Sequence, residues 1–384
     1  MERTDDGVEL VRRALAHMQR RSTDMAPEPM ALPVEAYVDP DRYRREVEAI
    51  FGRLPLALAL SIELPEPGCY RTMSVIGRPV LIARDREGRA RAFLNACRHR
   101  GSPVCEEARG KTPRFVCPYH GWTYDLQGRL EAIYAPDTFG AIDPADFGLT
   151  ALPCAESHGL VWVSLTPGAQ FDITDWLAGF GDELASLKLD QWHLYDQREL
   201  DGPGWKVAWD GYLEAYHHNT LHVNTVGKYT IGNLLLLDTY GPHQRIVFAR
   251  RTLRELVDKP ESEWDAAVHL RKIHSVFPNL SISGVLGDHC LVSQVFPGPT
   301  PATTVTRQTV LAAKKPESES ERAATDAFST MVRRAVEEED YRIGRQIQAG
   351  IGSGANRAFV FGRNEPALQH YHRFVAQYAS AGAP

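Results

Sequence analysis

Two short segments of this 384-residue chain concentrate side chains that bind metal. Cys97-Arg98-His99 and Cys117-Pro118-Tyr119-His120 read C-x-H and C-x-x-H, with seventeen residues between His99 and Cys117. They form two chelating clips, each with one thiolate and one imidazole. Such a set closes a tetrahedral zinc site, or holds a [2Fe–2S] cluster with thiolates on one iron and imidazoles on the other. The flanks bear on the choice. Each clip ends a short apolar run and leads into a turn, Arg100-Gly101-Ser102-Pro103 or Gly121-Trp122, as in loops that pinch a cluster from hairpin tips.

A second constellation lies between Trp205 and His222. Asp210, Glu214, His217, His218 and His222 crowd two carboxylates and three imidazoles into thirteen residues among aromatics. A lone histidine in an apolar segment is usually a hydrogen-bonded core residue; three beside Glu214 read as a metal site. Spacing alone leaves the ligands open, because His218 and His222 share a helical face whereas His217 and His222 lie five apart. Two histidines on a metal leave room for a carboxylate as a further ligand. The expected helix from Arg322 to Ala349 offers candidates. Its apolar stripe is Val332, Val336, Ile343 and Ile347, with Glu339 and Asp340 flanking that stripe and Glu337 and Glu338 turned away.

Several elements must position these groups. Helical spacing predicts an amphipathic helix from Val8 to Arg21 and a second through Tyr43 to Phe51. Short strands follow at 70–76, 79–84, 90–95, 122–124, 130–133 and 160–165, with Asp85-Arg86-Glu87-Gly88 and Asp125-Leu126-Gln127-Gly128 as hairpin loops. Further strands are expected at 231–237, 244–250, 279–283, 289–296 and 304–311. Phe277, Leu280, Ile282, Val285, Leu236 and Val295 are candidates to line an apolar pocket there. A net charge of −6 argues against nucleic acid as partner. The longest apolar stretch, near Leu54 to Leu64, is too short to span a membrane, and the first residues lack the order of a secretion signal. Cys69, Cys105, Cys154 and Cys290 suggest no disulfide framework, so a cytoplasmic protein is expected. Gly352-Ser353-Gly354 follows a helix rather than a strand and reads as a loop, leaving no flavin or nicotinamide site.

All four clip positions, with Arg98, Gly101, Pro118, Gly121 and Trp122 around them, resemble the Rieske domain. The second segment resembles the iron motif of Rieske-type aromatic-ring-hydroxylating oxygenases (dioxygenase alpha-subunit-like): a carboxylate, two residues, His, four residues, His. Glu214, His217 and His222 match it position for position, and Glu339-Asp340 with Gln346 and Gly350 is similar to the stretch carrying the third ligand, the match falling on Asp340. The likeness runs from about residue 40 to 375. It implies a [2Fe–2S] cluster on Cys97, His99, Cys117 and His120, and Fe(2+) on His217, His222 and Asp340, with His218 beside them. It also implies that Glu214 bridges an iron-binding histidine to His120 of a neighbouring subunit, and so a homotrimer. The family more often has aspartate there; glutamate occurs in relatives acting on quaternary amines. Asp210 matches a polar position near the iron.

The implied fold is α+β. N-terminal helices at 1–49 pack on the catalytic domain, an all-β Rieske domain spans 50–166, and a helix-grip (START/Bet v1-like) catalytic domain with an antiparallel sheet spans 167–384. The implied function is that of a terminal oxygenase component. It would take O2, and electrons from a separate NAD(P)H-dependent reductase with or without a ferredoxin, to hydroxylate or oxidatively demethylate a small hydrophobic organic substrate. The rival reading is an electron-carrying Rieske protein with a non-catalytic helix-grip domain; a zinc-stapled interaction module is a further one.

Overall fold

A computed structural model describes residues 5–286 and 288–381. It divides into two compact units, Val47–Gln191 and a second made of Met1–Glu46 with Trp192–Pro384.

The Val47–Gln191 unit is built from small antiparallel sheets. One has five strands in the order 151–152, 90–94, 78–84, 69–75, 109–111; two others have three strands each, 154–157 with 160–163 and 56–60, and 115–116 with 123–124 and 130–132. Two hairpins are closed by the same device. Asp85 accepts hydrogen bonds from the backbone N–H groups of Glu87 (3.0 Å) and Arg89 (2.8 Å), and Asp125 accepts from Gln127 (2.9 Å) and Arg129 (2.8 Å). Asp–x–x–Gly thus supplies its own turn. The other carboxylate oxygen takes Arg91 in the first hairpin and Arg129 in the second, which allows both aspartates to be buried.

This unit runs past residue 166, where sequence patterning ends the β domain. Helices Ile173–Leu177 and Gly181–Ser186 bury Leu177 and Leu184, and the turn Leu189–Gln191 lies against Gly159 so closely that a Cβ there would come within 2.8 Å of Leu189.

The other unit carries a seven-stranded antiparallel sheet, in the order 193–202, 304–312, 289–297, 280–286, 270–276, 243–250, 230–240. Two of these strands, His193–Gly202 and Leu270–Val276, escape the sequence reading because charged residues break their apolar alternation. Helix Asp5–Arg20 packs Leu10, Val11, Ala14 and Leu15 against Leu234, Leu236 and Val247 of the sheet.

A long helix lies across this sheet, the helix-grip arrangement. It starts at Ser318, whose hydroxyl and Glu321 form a capping box, and places Phe328 and Val332 on Leu291 and Val310. Within it, Arg334–Asp340 is π-helical, between α-helices Glu319–Arg333 and Tyr341–Ile351. The wider turn carries a surplus residue, which rotates everything beyond it. The expected stripe breaks there: Val332 and Val336 are buried, while Ile343 is half-buried and Ile347 is 41% exposed.

Among the described residues no helix is long and apolar enough to cross a membrane. Leu236 is fully enclosed against the N-terminal helix. Leu236→Ala is therefore expected to cost about 2–5 kcal/mol, seen as a lower unfolding midpoint by calorimetry.

Candidate metal centres

The two clips adopt the same turn. The N–H of Gly101 donates to the carbonyl of Cys97 (2.7 Å) and that of Gly121 to the carbonyl of Cys117 (3.0 Å), while each cysteine N–H donates five residues ahead, to Ser102 and Trp122, both at 2.8 Å. Both glycines sit in the left-handed region, φ +81° and +71°, where a side chain would strain the turn. One clip leaves strand Ala90–Leu94 of the five-stranded sheet, and the other joins Phe115–Val116 to Thr123–Tyr124 of a three-stranded one.

Cys97 and Cys117 are 3% exposed and share one buried cluster with Phe115, Trp122 and Tyr124. The imidazoles of His99 and His120 lie 4.7 Å apart between centroids, and His99 stacks on Trp122 at 5.0 Å with 8° between planes. Burial pushes the Cys97 thiol up, although the Tyr124 hydroxyl 3.2 Å away acts in the other direction. His99 Nδ1 is buried with no hydrogen-bond partner. Two buried soft sulfurs beside an orphaned imidazole nitrogen are the donor chemistry of an iron–sulfur site.

The second site is assembled from a loop and the π-helical turn. Helix Trp205–Asp210 buries Trp205 and Trp209, and the chain then tightens through 3-10 turns at Tyr216–Asn219 and Val226–Lys228. Because this segment is not an α-helix, the four-residue spacing of His218 and His222 carries no advantage. His217 Nε2 lies 3.6 Å and His222 Nε2 3.0 Å from Asp340 Oδ1, and the three donor atoms lie within 4.8 Å of one another. Among the described residues this is the one His, Cys, Asp or Glu group that converges so tightly.

Each ring is also held from its far side. Glu214 Oε1 pairs with His217 Nδ1, while Glu214 Oε2 accepts from the His217 N–H at 3.1 Å. Glu339 Oε2 pairs with His222 Nδ1 at 2.6 Å and accepts from the Thr225 hydroxyl. With Nδ1 held, Nε2 points at Asp340 on both rings, an arrangement that orients imidazoles for metal. Burial pulls the His222 imidazole down, but Asp340 and Glu339 outweigh it and hold it above its ordinary value. Sequence reasoning found Glu339 only as a rival to Asp340. Its grip on His222, 117 residues away, leaves no trace in spacing.

His218 lines the adjoining cavity instead of joining the group, and burial holds its imidazole well below the usual range. Asp210 is engaged elsewhere: it accepts from the Tyr37 hydroxyl at 2.6 Å and pairs with His372 at 2.8 Å. It does not line the cavity.

That cavity, about 60 Å³, has room for roughly four to six waters. Phe248, Arg271, Ile273, Ser283 and Leu291 form its sheet side, Val332, Ala335 and Val336 its helix side, and the histidine loop the rest. None of Leu236, Phe277, Leu280, Ile282 and Val295 lines it; all five are fully buried core. Ile282 precedes Ser283 in the strand and so points to the opposite face, and Leu280 shares its parity. The Val285 side chain lies outside the described residues.

Comparison with known proteins places this geometry. The description "Ring hydroxylating alpha subunit (catalytic domain)" matches residues 189–381, and "Rieske [2Fe-2S] domain" matches residues 55–151. The chain is 32% identical over 270 residues to the glycine betaine monooxygenase oxygenase subunit of Chromohalobacter salexigens, covering 68% of this chain and 56% of that one. It is 30% identical over 200 residues to the anthranilate 1,2-dioxygenase large subunit of Acinetobacter baylyi, covering 50% and 42%. The chain thus spans about half the length of the curated relatives it matches. Two solved structures share the fold. A quaternary ammonium Rieske monooxygenase with L-carnitine superposes at a TM-score of 0.79 with 22% identity, covering 93% of this chain and 96% of that one. Naphthalene 1,2-dioxygenase from Rhodococcus sp. with indole does so at 0.76 with 20% identity, covering 99% and 100%. With one of these descriptions covering about half of the chain and the other the segment before it, the chain belongs to the ring-hydroxylating alpha-subunit family, and its cofactors are a Rieske [2Fe–2S] cluster and a mononuclear iron.

Proposed function

We propose that this chain is the terminal oxygenase component of a multicomponent system, hydroxylating or oxidatively demethylating a small organic substrate with O2. The observation that carries the reading is the convergence of His217, His222 and Asp340 beside a cavity, in a chain that also has a Rieske domain. In this reading Cys97, His99, Cys117 and His120 hold the cluster, and the convergent triad holds the iron. When bound, the cluster supplies single electrons and the iron supplies open positions for dioxygen.

The chain's own groups do the positioning. Glu214 and Glu339 fix the ring orientation of His217 and His222 by engaging Nδ1, which leaves Nε2 of both rings turned toward Asp340. Val332, Val336, Phe248 and Leu291 exclude water from the cavity wall and favour an organic substrate. Glu214 keeps acceptor capacity beyond its contacts with His217, since a carboxylate offers about four lone-pair sites. We assign that capacity to His120 of the partner subunit, in a homotrimer. A glutamate gripping His217 at its outer nitrogen supports the near half of this bridge.

Electrons would come from an NAD(P)H-dependent reductase, with or without a ferredoxin. With Cys97 and Cys117 on the cluster, the four remaining cysteines are in no disulfide, which fits a reducing, cytoplasmic setting. The names of the relatives make quaternary amines and aromatic acids the first compounds to try. An electron carrier without chemistry would have no need of a convergent triad oriented by two glutamates.

The test is anaerobic purification and metal analysis. About three irons per chain and a red-brown cluster spectrum are expected; two irons would sink the oxygenase reading. His217→Ala should keep that spectrum, lose the third iron and abolish product; normal turnover would remove the assignment. Glu339→Gln, which cannot accept the His222 proton as a carboxylate does, should weaken iron binding about 10–100-fold, measured by chelator competition. For the bridge, Glu214→Ala should leave a trimer by sedimentation but slow reoxidation of the reduced cluster in single-turnover experiments. An active monomer would overturn the bridge.

A further inference from the structure

The cavity beside the triad contains a cation that the chain does not neutralise. Arg271 stands on strand Leu270–Val276, paired across the sheet with Phe248, and lines the cavity between Phe248 and Ile273. Its Nε is sealed from solvent and makes no hydrogen bond. The guanidinium has no ion pair among the described residues, and the nearby charge that bears on it is a second cation, Arg250.

Other arginines of this unit with little exposed surface are provided for. Arg245 pairs with Asp6 and Asp238, Arg307 with Glu199, and Arg198 with Asp196 and Gln308. Burial lowers Arg271 to about 10, which still leaves it charged at neutral pH. Arg271 is partly exposed as a whole, but sealing its Nε from water without a partner is costly, and a group kept in that condition beside an open space is arranged for something that arrives from outside.

We propose that Arg271 is the carboxylate-recognition residue of this cavity, and that the substrate is a small organic acid with an apolar body. The inference rests on the reading of the cavity as the site of oxidation and narrows its substrate class. A guanidinium with Nε unengaged offers a planar two-point fork, which matches a carboxylate. Arg271 is the one arginine or lysine lining the cavity, which suits a monoanion better than a phosphate dianion. Phe248, Ile273 and Leu291 beside it make the rest of the lining on that side largely apolar. This differs from the purely hydrophobic ligand expected from sequence, because Arg271 falls in a strand that the apolar pattern does not reveal.

The test uses the anaerobic holoprotein and three probes: pivalate, its neutral isostere pivalamide, and inorganic phosphate, each titrated by calorimetry. Pivalate is expected to bind about tenfold or more tightly than pivalamide, the worth of a charge-assisted hydrogen-bond pair, and phosphate not to compete with it. Arg271→Gln should lose that preference, weakening pivalate far more than pivalamide. Pivalate binding no better than pivalamide in the wild type, equal pivalate binding by R271Q, or displacement by phosphate would each overturn the proposal. The wild-type comparison stands even if the variant fails to fold. Iron content and cluster spectrum are recorded on the same samples. Loss of the third iron with the carboxylate preference intact counts against the oxygenase reading alone, whereas three irons with no preference count against Arg271 alone.

Discussion

Two glutamates behind two histidines set the terms for the rest of the catalytic unit. An imidazole offers a metal its lone pair only if its proton is on the other nitrogen, and here Glu214 and Glu339 stand at Nδ1 of His217 and His222, placed to accept a hydrogen bond there. The two grips differ in reach. Glu214 is three residues from its histidine and closes a local turn, whereas Glu339 comes from the long helix and ties it to the histidine loop. Position along that helix therefore matters to within one residue, since Glu339 and its neighbour Asp340 must face the loop together.

The π-helical turn at Arg334–Asp340 meets this demand. In a regular α-helix adjacent residues diverge by about 100°, so two consecutive carboxylates seldom serve one site. A widened turn changes their separation around the axis and lets Glu339 reach the outer nitrogen of His222 while Asp340 reaches the inner side of both rings. The same turn ends the apolar stripe early and leaves Ile347 in solvent. Irregularity in the helix and regularity in the site are two results of one surplus residue.

How much of this was legible in the sequence depends on the range of the interaction. The clips at Cys97–His99 and Cys117–His120 were readable as ligand sets because ligand type and short spacing are local properties, whereas His217, His222 and Asp340, which converge here, came from the likeness to a known family, spacing alone having left the histidines open. The α+β class and the helix-grip unit followed from the same match. Hairpins closed by Asp85 and Asp125 were readable for a similar reason: each aspartate satisfies its own turn. What escaped was relational. The role of Glu339 depends on a residue more than a hundred positions away. Strand Leu270–Val276 hides behind Arg271 and Lys272, and with it went the cavity's cation. Leu236 and Ile282 were sensible apolar choices for a pocket, but which face of a strand meets the cavity is fixed by register, and both belong to the other face. The extent of the β unit to Gln191 likewise rests on how Leu189 meets Gly159, a contact that composition does not announce.

The paired turns of the cluster loops have a consequence for how the Val47–Gln191 unit holds together. One loop springs from the five-stranded sheet and the other from a three-stranded sheet, and their cysteines stand next to each other in the core with Phe115, Trp122 and Tyr124. Inorganic sulfide and iron seated on both loops would act as a rivet between two sheets that are individually small, much as a disulfide restrains a secreted domain. Supply of iron and sulfur during synthesis then governs whether this half of the chain matures at all, so that starvation for either element would be felt first as a shortage of folded protein and only afterwards as a slower reaction.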